Sequence, residues 1–106
     1  MSDIKVIDFG KLEGPVFTGR PRGELLRRKL KVDDLDAGDL VVDVQIPEST
    51  YSITSSFILG LFGKSVVRLG SKEAFYGKYH FHTSPLFQEV VDTCVTRALQ
   101  TKALFD

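Results

Sequence analysis

Tryptophan is absent from this chain, and cysteine and methionine occur once each. A lone Cys94 excludes an internal disulfide and is ordinary for a reducing compartment. Charge of one sign is also lacking. Fourteen Lys and Arg balance fourteen Asp and Glu, so there is no overall field to draw the protein onto nucleic acid or an anionic membrane. The longest apolar stretch, Phe57 to Leu69, is broken by Lys64 and Arg68 and is shorter than a bilayer-spanning helix needs. The first residues carry no basic segment, apolar core and cleavage site of the secretory kind. The expectations are a cytoplasmic location, no membrane and no nucleic-acid partner.

What remains has the balance of a folded domain. The content of 42% hydrophobic and 26% charged residues suits one core, and the 106-residue length suits a single domain spanning the chain. Ile4, Val6, Ile7 and Phe9 form a β-rich run that stops at Gly10, and Val16-Phe17-Thr18 extends briefly after the Gly14-Pro15 break. A helix is predicted from about Pro21 to Leu30, with Leu25, Leu26 and Leu30 inward and Arg22, Glu24, Arg27, Arg28 and Lys31 outward. The acidic segment Asp33 to Asp39 ends it. Leu40-Val41-Val42-Asp43-Val44 reads as a central strand buried on both faces, followed by a polar loop from Gln45 to Ser52. A second helix is expected to start near Ser56, a strand to run from Lys78 to His82, and a last helix from Ser84-Pro85 to about Thr101. Phe87, Val90, Val91, Cys94, Ala98 and Leu99 give that last helix one apolar stripe. Strands separated by helices need crossover connections. The fold class is therefore α/β, a single small domain with a mixed, mostly parallel sheet of about four strands and helices mainly on one face.

Three hydroxyls, Thr54, Ser55 and Ser56, precede the run Phe57-Ile58-Leu59-Gly60-Leu61-Phe62-Gly63. The first N–H groups of a helix lack partners within it, and a hydroxyl there caps one. Capping accounts for one hydroxyl and leaves two. A phosphate on one of those would suit the helix dipole and open N–H groups while putting charge beside an apolar surface, which could switch docking off. Phe57, Ile58, Leu59, Leu61 and Phe62 cover every side of the helix, and in so short a chain part of that surface is expected to face a partner. Packing between a sheet and neighbouring helices is the alternative. Gly60 and Gly63 each let another backbone come close, and Gly63 equally suits a helix C-terminus.

Other clusters say less. His80 and His82 share a strand face, but no further ligand has metal-site spacing, so no metal is expected. Cys94 lies in an apolar stripe and reads as a small buried hydrophobe. Arg20, Arg22, Arg27, Arg28, Lys29 and Lys31 form a basic cluster, which Asp33, Asp34, Asp36 and Asp39 can neutralise locally. No glycine-rich phosphate loop, Ser-His-Asp set or paired catalytic carboxylates can be read, so neither an enzyme nor a cofactor is expected.

Phe17-Thr18-Gly19-Arg20 with Gly23 and Leu25, then Leu40-Val41-Val42-Asp43-Val44, then Ile53-Thr54-Ser55-Ser56-Phe57 and Leu61-Phe62-Gly63 resemble the STAS-like family of unknown function in order and approximate spacing. That family is similar to STAS domains such as anti-sigma-factor antagonists, in which a strand and an Asp-Ser-Ser-Gly motif open the helix that docks on an ATPase-like kinase. The resemblance sets Thr54 at the aspartate, Ser55 and Ser56 at the serines and Phe57 at the glycine, and implies Ser56, or Ser55, as a phosphoacceptor. It also implies a histidine-kinase-type ATPase as partner. The acidic residue usual just inside this helix is replaced here by Ile58-Leu59-Gly60, and the loop after Asp43 is a few residues longer.

The leading expectation is a non-enzymatic regulatory interaction domain that docks through Thr54, Phe57, Ile58, Leu61 and Phe62, with Arg20 as an anion or partner contact. A homo-oligomer burying the same helix is one alternative. A small-ligand or nucleotide site at the helix N-terminus is the other.

Overall fold

The computed structural model describes residues 4–12, 16–47 and 52–105, without the side chains of 16 and 101–105. The Gly14-Pro15 break and the centre of the loop after Gln45 lie outside the described residues. Among the described residues, two short parallel sheets and five α-helices alternate along the chain, with one 3-10 turn at Phe9–Lys11. β1 (Ile4–Asp8), β3 (Val41–Gln45) and β5 (Tyr79–His82) form one sheet in the order β1-β3-β5, with β3 central as expected. β2 (Val16–Phe17) pairs with β4 (Ser52–Ile53) in a separate two-stranded ladder. The fold is α/β, with every strand pair parallel, and its five strands divide between two sheets where about four in one had been expected.

Register explains the two faces of the larger sheet. Ile7, Val44 and Phe81 lie side by side, as do Val42 and Tyr79, and these residues point into the core. On the opposite face Val6, Asp43 and His80 lie side by side, and Ile4 and Val6 stay 49% and 50% exposed. Among the described residues, helices cover only the first face. Parallel sheets usually bury both, and here the polar Asp43, His80 and His82 occupy positions that a second helix layer would cover.

α1 (Arg20–Leu30) turns through Lys31, which takes the left-handed conformation, straight into α2 (Val32–Ala37). The acidic segment thus forms a second helix, with Asp33 and Asp34 in the first turn where the helix dipole favours them. α1 is also rolled relative to the expected face. Leu25 is 45% exposed, whereas Gly23 and Arg27 are buried.

α3 (Ser55–Leu69) lies between α1 and α5 (Pro85–Phe105) and continues past Gly63; the glycine that ends it is Gly70, at φ +93°. α4 (Lys72–Lys78), capped by Ser71, was not anticipated. α3 and α1 cross with almost no side chain between them. A Cβ on Gly23 would stand 2.1 Å from the Phe57 carbonyl oxygen, and one on Gly60 would stand 2.2 Å from the Arg20 carbonyl oxygen. Backbone therefore meets backbone at both positions, which only glycine permits.

Gly23→Ala or Gly60→Ala should each lower stability by about 1–3 kcal/mol or more, because the two helices must move apart. Gly77→Ala is the control of opposite sign: a Cβ there meets nothing, and alanine gains up to about 1 kcal/mol of helix propensity. Thermal melts of the three variants check this.

Candidate functional site

At the leading end of α3 the three hydroxyls divide their work. Thr54 is the N-cap: its backbone is extended and its Oγ1 accepts from the Phe57 N–H at 3.2 Å. Ser55 is half-buried, and its Oγ accepts from Arg97 Nη1 of α5 at 3.4 Å. Ser56 is exposed on the first turn, and among the described residues its hydroxyl makes no hydrogen bond.

The apolar side chains behind them are not a surface. Phe57, Ile58, Leu61 and Phe62 are all fully buried, which overturns their assignment as an interface. The chain can enclose this helix because the glycine crossing brings α1 close, while the sheet, α4 and α5 cover the other sides. Phe57 packs its ring against Phe9 and Phe17, and Phe62 packs against Phe75, Tyr79 and Phe81. What α3 leaves outside is a narrow stripe: Ser56, Lys64, Val67 and Arg68, with Leu59 half-buried.

Beneath this stripe sits a buried ionic cluster. Arg27, only 5% exposed, donates from Nη2 to Asp36 Oδ2 at 2.8 Å and from Nη1 to the Leu61 carbonyl at 2.9 Å and Ser65 Oγ at 2.8 Å. Its Nε and Nη2 also reach Asp33. That hydrogen bond and the guanidinium charge hold the exposed Asp33 carboxyl below its usual range. Asp36, whose carboxylate is wholly buried, accepts in addition from Ser65 Oγ and from the Tyr79 hydroxyl. Burial and then the Asp36 hydrogen bond push the Tyr79 phenol well above its ordinary value. Every partner is satisfied, so the cluster holds α1, α2, α3 and β5 together and has no free group for chemistry.

Above the cluster, α1 and α3 form the walls of a groove of about 680 Å³ that reaches Ala98 of α5. Its floor is apolar, from Leu59, Val67 and the two glycines Gly60 and Gly63. Arg20 and Arg28 line it from α1, and Lys64 and Arg68 from α3. Glu24 and Asp33 are its acidic members among the described residues. Arg20 therefore belongs to the same surface as the exposed stripe of α3.

No protein-family model, curated protein or solved structure matches this chain.

His80 and His82 do share a face, and the fold brings Asp43 between them, with Asp43 Oδ1 3.8 Å from His80 Nδ1 and 3.5 Å from His82 Nε2. No group of three such side chains among the described residues is arranged to hold a metal ion. Cys94 is buried in α5, and burial pushes its thiol up to about 12. No helix among the described residues is long and apolar enough to cross a membrane.

Sequence reasoning missed the roles of Arg27, Asp36 and Ser65. Charge placement suggested that Arg27 faces water, and nothing local distinguishes Asp36 from Asp33 or Asp34. The one available signal was Ser65, a hydroxyl between Gly63 and the apolar pair Val66-Val67 on the third turn of α3.

Asp36→Ala should cost about 3–5 kcal/mol, since it leaves the Arg27 charge buried with its best partner gone; urea unfolding measures this. Ser65→Ala, removing one hydrogen-bonded hydroxyl, should cost about 1 kcal/mol. Folding raises the Cys94 pKa above its ordinary value of 9.0, so its contribution to stability is full below pH 9 and falls as pH climbs towards about 12. Alkaline unfolding of Cys94→Ala should therefore begin at higher pH than that of the unaltered chain, and a thiol reagent at pH 8 should label Cys94 only after denaturation.

Proposed function

We propose that this chain is a non-enzymatic regulatory interaction domain that docks on a larger protein through the outer stripe of α3 and the groove beside it. Ser56 is its switch. The observation that carries this reading is the division of labour at the start of α3: Thr54 supplies the cap, which leaves the exposed Ser56 hydroxyl unused at the head of the stripe that runs on to Lys64 and Val67. A phosphate there would gain from the open N–H groups of the first turn and would bring about two negative charges to the head of the stripe, one turn from Gly60, where Arg20 of α1 packs. Ser55 is the second candidate acceptor, with Arg97 beside it to pair with a phosphate.

The resemblance to STAS-like proteins supports the same assignment and points to a histidine-kinase-type ATPase as the partner. The docking residues differ from those expected from composition. Buried Phe57, Ile58, Leu61 and Phe62 shape the helix, and the exposed Lys64, Val67 and Arg68, with the half-buried Leu59, meet the partner. A homo-oligomer is the second reading, favoured by the half-exposed Ile4 and Val6 on the open sheet face and not by α3. Light scattering distinguishes it: a monomer at high micromolar concentration removes that reading.

A photo-crosslinking residue at Val67 should trap a partner in cells, whereas one at Leu86, exposed on α5, should not. Ser56→Glu should weaken the Val67 product about tenfold and Ser56→Ala should leave it unchanged. Equal trapping from both sites, or a product indifferent to Ser56→Glu, rules out docking through this stripe.

A further inference from the structure

The groove between α1 and α3 has a composition that selects among ligands. Its apolar floor, Leu59 and Val67, lies between cations on both walls, Arg20 and Arg28 on α1 and Lys64 and Arg68 on α3. Val67 is 39% exposed there, an apolar side chain left at the surface between two charges of its own helix. Arg27 is already committed to Asp36, and Arg68 lies 3.8 Å from the same carboxylate. Arg28 and Lys64, both exposed, are the cations best placed to meet an incoming group.

Uniformly charged polymers suit this groove poorly. Glu24 and Asp33 sit on its walls, and Asp33 keeps its charge to lower pH than an ordinary carboxylate because of Arg27. A phosphate backbone would meet both acids, and the chain has no net positive charge to offset them. A ligand with separate apolar and acidic faces avoids the conflict. Two helices forming a groove of about 680 Å³ match the way an amphipathic helix is received, with apolar anchors on the floor and charges on the rims.

We propose that the α1–α3 groove binds an acidic amphipathic helix of the partner protein, its apolar side chains on Leu59 and Val67 and its carboxylates on Arg28 and Lys64. This rests on the reading of the chain as a docking domain and adds the chemistry of what docks. Ser56 lies one turn along α3 from Gly60, against which the Arg20 backbone packs, so a phosphate there adds negative charge beyond the Arg20 end of the groove and repels the ligand's carboxylates.

The test uses the full chain and three labelled probes in fluorescence anisotropy: an amphipathic leucine–glutamate helix, the matching leucine–lysine helix and a single-stranded oligonucleotide. The leucine–glutamate helix should bind, more weakly as salt rises, and the leucine–lysine helix should not. The double variant Arg28→Glu/Lys64→Glu changes two exposed side chains, and its melting temperature shows that it folds. It should weaken binding of the acidic helix about tenfold or more and bring in the leucine–lysine helix. Amide NMR shifts should move in Leu59, Lys64 and Val67 and not on the open sheet face. Equal binding of both helices, tighter binding of the oligonucleotide, or an acidic helix indifferent to the double variant each overturns the proposal. If the acidic helix does not bind while the Val67 crosslink still traps a partner, the acidic chemistry fails and the docking reading stands. If neither is seen, both fail.

Discussion

The Arg27–Asp36 ion pair sets the geometry on which the rest of this domain depends. Removing two charges from water costs several kcal/mol each, and their attraction offsets this only when the remaining donors and acceptors are also satisfied. Here they are, through Ser65, Tyr79, Asp33 and the Leu61 carbonyl. The cluster joins α1, α2, α3 and β5. It rolls α1 so that Arg27 points inward and Leu25 outward, and it ties the short α2 to α3 and β5. That roll in turn decides which cations of α1 face the groove.

The glycine crossing is the second constraint, and it works with the first. Gly23 and Gly60 bring the backbones of α1 and α3 into contact, so the guanidinium of Arg27 can reach the Leu61 carbonyl and Ser65 from the neighbouring helix. The same closeness covers one side of α3. A helix apolar all round needs cover on every side, and close approach lets a chain of this length supply it. The exposed part of α3 is left as a stripe of mixed character, with Ser56, Lys64, Val67 and Arg68 outside.

The two outer surfaces differ in kind. The groove side is cationic at its rims and apolar at its floor, whereas the open sheet face carries Asp43 between His80 and His82, with Ile4 and Val6 beside them. On the second, the central carboxylate lies next to two imidazoles, and the apolar part is made by Ile4 and Val6 of β1 with Val41 of β3 beside Ile4.

The sequence by itself determined the local features: the strands at Ile4–Asp8, Val41–Gln45 and Tyr79–His82 to within a residue or two, the capped starts of α3 and α5, the inward stripe of α5 and the α/β class. These follow from period, turn residues and caps, all of which act over a few residues. Only the tertiary structure decided that Phe57, Ile58, Leu61 and Phe62 are core, that Arg27 is buried and that Asp33 to Ala37 is helical. Each depends on a partner far along the chain: Gly23 against Phe57, Asp36 against Ser65 and Tyr79. Burial is settled by how closely distant backbones approach, and residue type alone carries no measure of that distance.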